Sequence, residues 1–275
     1  MPELPEVETI RRDLSPEVEG RQIRATRVHR SDILMNLAGP EAFRRELVGR
    51  RIRSLDRRAK YLVFRLDDGR VLQVQLRMTG RFALGRSRPD PEEFGHVAAE
   101  LDLDDGRTLW YDDMRRLGGF RLLAAPDWER ESDRLGPEPL SEGYRPASLA
   151  GVLEGRRAPV KNLLLDQELV AGVGNIYASE ALHEAGLDPR RAGGELEPAE
   201  VERLHGSLRR ILREALDHAG TTFRDYRAVN GRSGRFQERL RVYARDGRPC
   251  RGCGGEVRRV VQAGRSTYFC PTCQT

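Results

Sequence analysis

Cys250-Arg251-Gly252-Cys253 and Cys270-Pro271-Thr272-Cys273 stand near the end of the sequence, separated by sixteen residues, and use all four cysteines of the 275-residue chain. Each Cys-x-x-Cys forms a tight knuckle, and two knuckles supply the four thiolates of a tetrahedral zinc site. Gly252, Gly254 and Gly255 give the backbone the freedom that such turns need. Between the knuckles, Glu256-Val257-Arg258-Arg259-Val260-Val261 and Ser266-Thr267-Tyr268-Phe269 read as the two strands of a hairpin. Two disulfides are the other reading and would suit an exported chain. The first eight residues contain acids and no apolar run, so no secretory signal is expected. One structural zinc ion is therefore the expected cofactor. Four thiolates leave no open coordination position, and the metal would hold a hairpin with almost no core of its own.

Outward from the hairpin, charge is the next signal. The chain carries 48 Lys plus Arg against 43 Asp plus Glu, a net of +5, whereas residues 221–275 alone hold twelve arginines and four acids, a net of +8. A basic tail points to a phosphate-bearing partner, with a merely solvated surface as the plain alternative. Arg258, Arg259 and Arg265 lie on the hairpin, where a rigid basic element can grip phosphate. The basic residues are also oddly chosen: only Lys60 and Lys161 are lysines, and the other 46 are arginines. Arginine stays protonated and grips oxyanions, while an ammonium can shift its pKa and move a proton. No run approaches the roughly 18 apolar residues of a membrane span.

Upstream the pattern is helical. Stretches 149–153, 163–170, 178–185 and 201–219 fit helices, the last with Val201, Leu204, Leu208, Ile211, Leu212 and Ala215 on one face. Within this region Ala171-Gly172-Val173-Gly174-Asn175-Ile176-Tyr177 joins two helices. It reads either as a tight helix-to-helix turn or as an anion site with amides exposed before a helix start. Gly136-Pro137-Glu138-Pro139 reads as a linker. Before it the sequence is β-rich. Tyr61-Leu62-Val63-Phe64-Arg65-Leu66 and Val71-Leu72-Gln73-Val74-Gln75-Leu76 flank Asp67-Asp68-Gly69, and Leu101-Asp102-Leu103 and Thr108-Leu109-Trp110-Tyr111 repeat the theme. A helix opens the chain, from the Pro5-Glu6 start to about Leu14. The sum is an α+β chain in three pieces, 1–135, 136–220 and 221–275.

The N-terminus carries chemistry if Met1 is removed. Pro2 then presents a secondary amine. An α-amino group titrates near 7.7–8.0 against about 10.4 for a lysine, so more of it is free to attack an aldehyde-level carbon at neutral pH. Glu3 beside it can exchange protons with the same centre. Read without context, Pro-Glu at this place is a helix cap.

Taken together, Met1-Pro2-Glu3-Leu4-Pro5-Glu6-Val7-Glu8-Thr9, Arg57-Arg58-Ala59-Lys60-Tyr61, Leu135-Gly136-Pro137-Glu138-Pro139-Leu140, Leu164-Leu165-Asp166-Gln167 with Ala171 to Tyr177, and Arg265-Ser266-Thr267-Tyr268-Phe269-Cys270 closely resemble the formamidopyrimidine-DNA glycosylase family. The opening looks like this branch rather than the endonuclease VIII branch of the superfamily. The resemblance spans the whole chain. It implies a two-layered β-sandwich, a helix-two-turn-helix domain and a zinc-finger hairpin. It also implies a bifunctional glycosylase and abasic-site lyase of base-excision repair. Such an enzyme works as a monomer on damaged double-stranded DNA, away from membranes, in a bacterial-type cytoplasm with the nucleoid. Pro2 matches the nucleophile, Glu3 the acid that helps open the sugar, Lys60 the lysine of β-elimination, and Arg265 the finger arginine of δ-elimination. Arg156, Lys161 and Asn175 match DNA-backbone contacts. Met78 matches a residue inserted where the damaged base leaves the stack, and Arg115 the arginine that meets the orphaned partner base. Without the resemblance, Met78 reads as strand-end packing.

The chain departs from the family pattern at three places. Asp113-Met114-Arg115-Arg116-Leu117-Gly118 stands where the family reads Asp-Pro-Arg-Arg-Phe-Gly, so the wedge residue Leu117 is aliphatic rather than aromatic. Glu93-Phe94-Gly95-His96-Val97 puts Phe94 where a DNA-contacting His is expected. Gly234-Arg235-Phe236-Gln237 replaces Gly-Tyr-Phe-Gln in the loop that covers the flipped base. The departures leave the catalytic set intact and open a second reading, the same chemistry on other oxidised bases; a third reading, a non-catalytic damaged-DNA-binding zinc-finger protein, would need Met1 to stay in place and block the amine.

Overall fold

The computed structural model describes residues 1–221 and 234–275. It divides into two compact units, one made of 1–133 with 219–235, the other of 134–218 with 236–275. The fold is α+β, as the sequence pattern implies.

The first unit opens with α1, Leu4–Val18. The helix runs past the expected end at Leu14, because Val18 continues the buried face of Val7, Ile10 and Leu14. There follow β1 (Ile23–Val28), α2 (Pro40–Leu47), β2 (Ile52–Arg58), β3 (Tyr61–Leu66), β4 (Val71–Gln75), β5 (Gly80–Gly85), β6 (Val97–Leu103), β7 (Thr108–Asp113), β8 (Gly119–Leu123) and α3 (Ala125–Asp133). The strands form two four-stranded antiparallel sheets, β1-β6-β7-β5 and β2-β3-β4-β8. Phe64, Phe82, Tyr111 and Phe120 fill the core that both sheets share, with Tyr111 and Phe120 ring centroids 4.9 Å apart, edge to face. The expected hairpin of 61–66 and 71–76 pairs Tyr61 with Gln75 and Phe64 with Leu72. Its unbroken apolar run has a cause: Val63 and Val71, on the face away from that core, pack against Trp128 of α3.

The second unit contains α4 (Pro146–Leu153), α5 (Val160–Leu165), α6 (Asn175–Ala185) and α7 (Pro198–Asp217), then the hairpin β9 (Arg258–Gln262) and β10 (Arg265–Phe269). Leu149, Leu164, Tyr177, Leu208 and Leu212 share its core. Helix α5 lies earlier and is shorter than the 163–170 span read from the sequence. Asp166 folds back to accept the Glu168 amide at 3.0 Å. Gln167 donates its amide to the Leu165 and Val173 carbonyls and accepts from the Gly172 amide at 3.0 Å. These side chains satisfy the backbone of the Ala171–Asn175 turn in place of a further helical turn.

Candidate active site and nucleic-acid interface

At the start of α1, Pro2 is buried and Glu3 is only 2% exposed. The buried carboxylate of Glu6 organises this end of the chain. Its Oε2 accepts the Glu3 amide at 2.8 Å, and its Oε1 accepts the Thr221 amide at 2.7 Å. Gly220 makes that clasp feasible: its φ is +80°, and a Cβ there would lie 2.7 Å from Glu6 Oε1. Gly234 backs onto the same spot, since its Cβ would fall 2.3 Å from the Gly220 carbonyl oxygen. Of the loop expected to cover a flipped base, Gly234-Arg235-Phe236-Gln237 is described, with Phe236 buried in the second unit's core, whereas 222–233 lies outside the described residues. Glu6 reads from sequence only as a helix-start acid, although an acid three positions into a helix is itself a clasp signal.

Lys60 sits on the turn between β2 and β3, beside Ala59, which is buried with φ +52°. Arg57 braces this turn, donating to the Ala59 carbonyl at 2.9 Å and pairing with Glu8 of α1 at 3.1 Å. Burial opposes the charge on Glu8, but Arg11 and Arg57 prevail and hold its carboxyl below the usual range. The Glu8–Arg57 ion pair thus joins α1, which follows directly on Pro2 and Glu3, to the turn that carries Lys60.

Met78 and Arg115 occupy two adjoining turns. In the first, the Gly80 amide donates to the Leu76 carbonyl at 3.0 Å, with Arg77 at φ +51°. In the second, the Arg116 amide donates to the Asp113 carbonyl at 3.2 Å. Thr79 laces them together: its hydroxyl donates to Asp113 Oδ1 and accepts the Arg115 amide at 3.0 Å. Asp113 is 1% exposed and also accepts the Gly118 amide at 2.9 Å and the Tyr111 hydroxyl at 3.3 Å. Burial, then Asp113, pushes the Tyr111 phenol up, so it remains a donor. Gly80 and Gly118 are required here, because a Cβ on either would come within 2.7 Å of the Tyr111 hydroxyl. Arg115 lies against Met78 Sδ at 3.0 Å, and Met78, Arg115 and Leu117 are all exposed. Core packing, the plain reading of Met78, does not hold. Phe94 is turned to a different use from a DNA contact: Arg81 stacks on its ring at 4.3 Å and it packs against Ala83, Val97 and Trp110.

In the second unit the four cysteine sulfurs lie within 4.8 Å of one another. Cys250 and Cys273 Sγ are 3.9 Å apart and Cys253 and Cys270 Sγ 3.5 Å, too far for disulfides and close to the edge of about 3.8 Å for thiolates at about 2.3 Å from zinc. Gly252 and Gly255 amides point at Cys250 and Cys253 Sγ at 3.4 Å, as thiolate knuckles require. The set fits one structural zinc ion, held by Cys250, Cys253, Cys270 and Cys273. His183 of α6 places Nε2 3.4 Å from Cys250 Sγ, and burial pushes its imidazole down to about 4.

The hairpin tip is a two-residue turn, Ala263 (φ +45°) and Gly264 (φ +72°), with Gln262 facing Arg265. Arg265 is exposed directly after it. Lys161, by contrast, is 0% exposed. Its ammonium donates to Thr267 Oγ1 at 2.6 Å and to the Ser266 carbonyl at 3.1 Å, and Asn175 Nδ2 donates to that same carbonyl at 2.9 Å. The structure thus brings Lys161, Asn175 and Arg265 together through Ser266, with the lysine turned inward rather than toward an outside phosphate. Arg156, just past α4, is exposed and donates Nε to the Val152 carbonyl at 2.8 Å. The irregular segment leading to the hairpin is pinned by Glu180, a wholly buried carboxylate that accepts the Arg241, Val242 and Tyr243 amides at 2.8, 3.0 and 2.8 Å. Burial pushes its carboxyl up against these three donors. Sequence reading missed Glu180, Thr79 and Asp113, since nothing in local spacing marks an acid that caps a distant backbone.

These features define a class: an α+β protein with a buried Pro-Glu helix start, stiff turns bearing apolar and arginine side chains, and a thiolate-tetrad hairpin. Family models match across it, the formamidopyrimidine-DNA glycosylase N-terminal domain at residues 1–120, its H2TH domain at 135–227, and the zinc finger found in FPG and IleRS at 247–275. The formamidopyrimidine-DNA glycosylase of Heliobacterium modesticaldum is 46% identical, over all of both chains. That of Chloroflexus aurantiacus is 44% identical, over 100% of this chain and 98% of the relative. The chain belongs to the formamidopyrimidine-DNA glycosylase family. Among solved structures, the MutM (Fpg) protein of Thermus thermophilus superposes with a TM-score of 0.87 at 44% identity, covering 99% of this chain and 98% of that one. The Lactococcus lactis Fpg in complex with DNA containing an abasic site gives 0.89 at 33% identity, covering 99% of each chain. No helix of the described residues is long and apolar enough to cross a membrane.

Proposed function

We propose that the protein is a base-excision-repair DNA glycosylase and abasic-site lyase acting on oxidised purines, 8-oxoguanine and formamidopyrimidines, in double-stranded DNA. The observation that carries this reading is the Pro2-Glu3 pair held at the start of α1 by the Glu6 clasp, in a chain similar over its full length to curated glycosylases of that name. A related Lactococcus lactis structure holds Fapy-dG DNA, which supports the substrate class. With Met1 removed, the Pro2 nitrogen attacks C1′ of the damaged nucleotide, the base leaves, and an iminium joins protein to sugar. Glu3 passes a proton to the opening sugar ring. Lys60, braced by Arg57, serves β-elimination, and Arg265 serves δ-elimination and grips the displaced phosphate. Met78, Arg115 and Leu117 enter the duplex where the base has left it, and Arg156 contacts the backbone. Lys161 and Asn175 serve the DNA backbone through the seat they give Arg265. The protein acts as a single copy, in the cytoplasm with the chromosome.

Borohydride added to the protein with duplex carrying 8-oxoguanine or an abasic site should fix a covalent complex. Pro2→Gly should weaken it, and Glu3→Gln should lose base excision while still binding. No trapped species on either substrate would sink the reading. Intact mass separates the enzyme from a non-catalytic damage binder, because the enzyme must lack Met1. The aliphatic Leu117, exposed where the family carries an aromatic wedge, supports a second reading of specificity, in which other oxidised bases are preferred. Single-lesion duplexes with each lesion opposite C, A, G and T decide that point.

A further inference from the structure

We propose that Met114 is a fourth side chain inserted into the DNA stack, placed beside Met78, Arg115 and Leu117 to make up for the missing aromatic ring. The inference rests on the DNA-repair reading above and concerns how the duplex is opened. The Arg116 amide to Asp113 carbonyl bond closes a β-turn whose two corner residues are Met114 and Arg115. Neither corner has a positive φ, as in a type I turn, which accepts most residues at these positions. Met114 is 51% exposed, more than Met78 at 43% and Leu117 at 45%. Met114 thus adds a third large exposed apolar side chain to the two turns that carry Met78 and Leu117, and exposed apolar side chains gathered on adjoining turns mark a contact surface.

The corner is also stiff. Asp113, the residue before it, is buried and bonded to Thr79, Tyr111 and Gly118, and Thr79 holds the Arg115 amide. Met114 and Arg115 therefore move as one piece with the Met78 turn. Arg115 is the side chain expected to meet the orphaned base, and Met114 is the other corner of the same turn. An unbranched thioether fills an irregular gap well, as a space left between bases is. Leu117 alone covers less of a base than a ring does. Two methionines and a leucine around one arginine supply that area in another form.

The test uses the full-length, zinc-loaded protein and a duplex with 2-aminopurine next to a tetrahydrofuran abasic analogue, which cannot be cleaved. Wild-type protein should raise the fluorescence as the neighbouring base unstacks. Met114→Ala and Met114→Pro should each lower that rise to about half or less at saturating protein, and 8-oxoguanine excision should fall roughly fivefold. Proline suits the first corner of this turn, so the second variant removes the side chain and keeps the backbone. A wild-type rise from both variants overturns the proposal. Borohydride trapping by the wild-type protein reports separately on the enzyme. Trapping with a Met114-independent rise removes the wedge and keeps the enzyme, while a Met114-dependent rise without trapping does the reverse.

Discussion

The turns that carry Met78 and Arg115 and the hairpin turn that carries Arg265 both present side chains on a stiff tip, and they are stiffened by opposite means. The first two are extensions of β4, β5 and β7, seated on the shared aromatic core and laced by Thr79 and Asp113. The hairpin has a core of little more than Val242, Val257 and two of its own cysteines. A metal tetrad and a buried ammonium do for it what packing does for the sandwich. Damage to the first region should be local and graded, whereas damage to the second should remove the element.

The largest effect should follow loss of zinc. Structural zinc contributes about 10–16 kcal/mol in finger peptides, far beyond what a hairpin of this size gains by packing. Cys270→Ser should lose the zinc equivalent measured by metal analysis and lose duplex binding, while the unfolding of the β-sandwich keeps its midpoint. Tight, salt-sensitive DNA binding by the zinc-free protein would erase the contrast between the two regions.

Next comes Lys161. Lys161→Met keeps the stem and removes the donor to Ser266 and Thr267. The Ser266 carbonyl keeps Asn175 as a donor, but the buried Thr267 hydroxyl loses the ammonium, at a cost of about 1–3 kcal/mol, read as a lower midpoint in chemical denaturation. Lys161→Arg should also destabilise, by about 1–3 kcal/mol, because a wholly buried site has no room for the larger head. Lys60→Arg should leave stability unchanged and slow strand cleavage instead. Those two outcomes together would give the two lysines separate reasons, proton chemistry at Lys60 and the fit of a compact ammonium under the hairpin at Lys161. Normal stability in Lys161→Arg would show that the site tolerates any cation.

The zinc tetrad, the strand pairs and the helix start were legible in the sequence because each is a local pattern of spacing or period. The inward turn of Lys161 was not, since Ser266 and Thr267 lie more than a hundred positions away and no local rule connects them. Likewise Thr79 and Asp113 look like ordinary turn residues until β5 and β7 are paired in register. Roles toward a substrate are implied by resemblance, whereas residues that hold the matching positions in place come only with the fold.

Thr79→Val deletes the hydroxyl between Asp113 and the Arg115 amide and leaves both buried groups short of a partner. The cost should be about 1–3 kcal/mol. Hydrogen exchange should quicken at Arg115 and Gly118, with the rest of the sandwich unchanged. Exchange that quickens throughout both sheets would mean the lacing supports the core rather than the tip.

The smallest effect should come from Arg116, although it sits in the same turn. Its guanidinium pairs with Asp32 at 3.2 Å, but both side chains are about half exposed, at 48% and 50%. Water screens such a pair, and ordering two mobile side chains offsets most of the attraction. Arg116→Ala should therefore change stability by less than about 0.5 kcal/mol at ordinary salt. The exchange rate at Gly118 should also hold, because that amide is bonded to Asp113 and not to the surface pair. If Arg116→Ala loosened Gly118 as much as Thr79→Val does, the stiffness of the tip would lie in its exposed charges and not in the buried carboxylate.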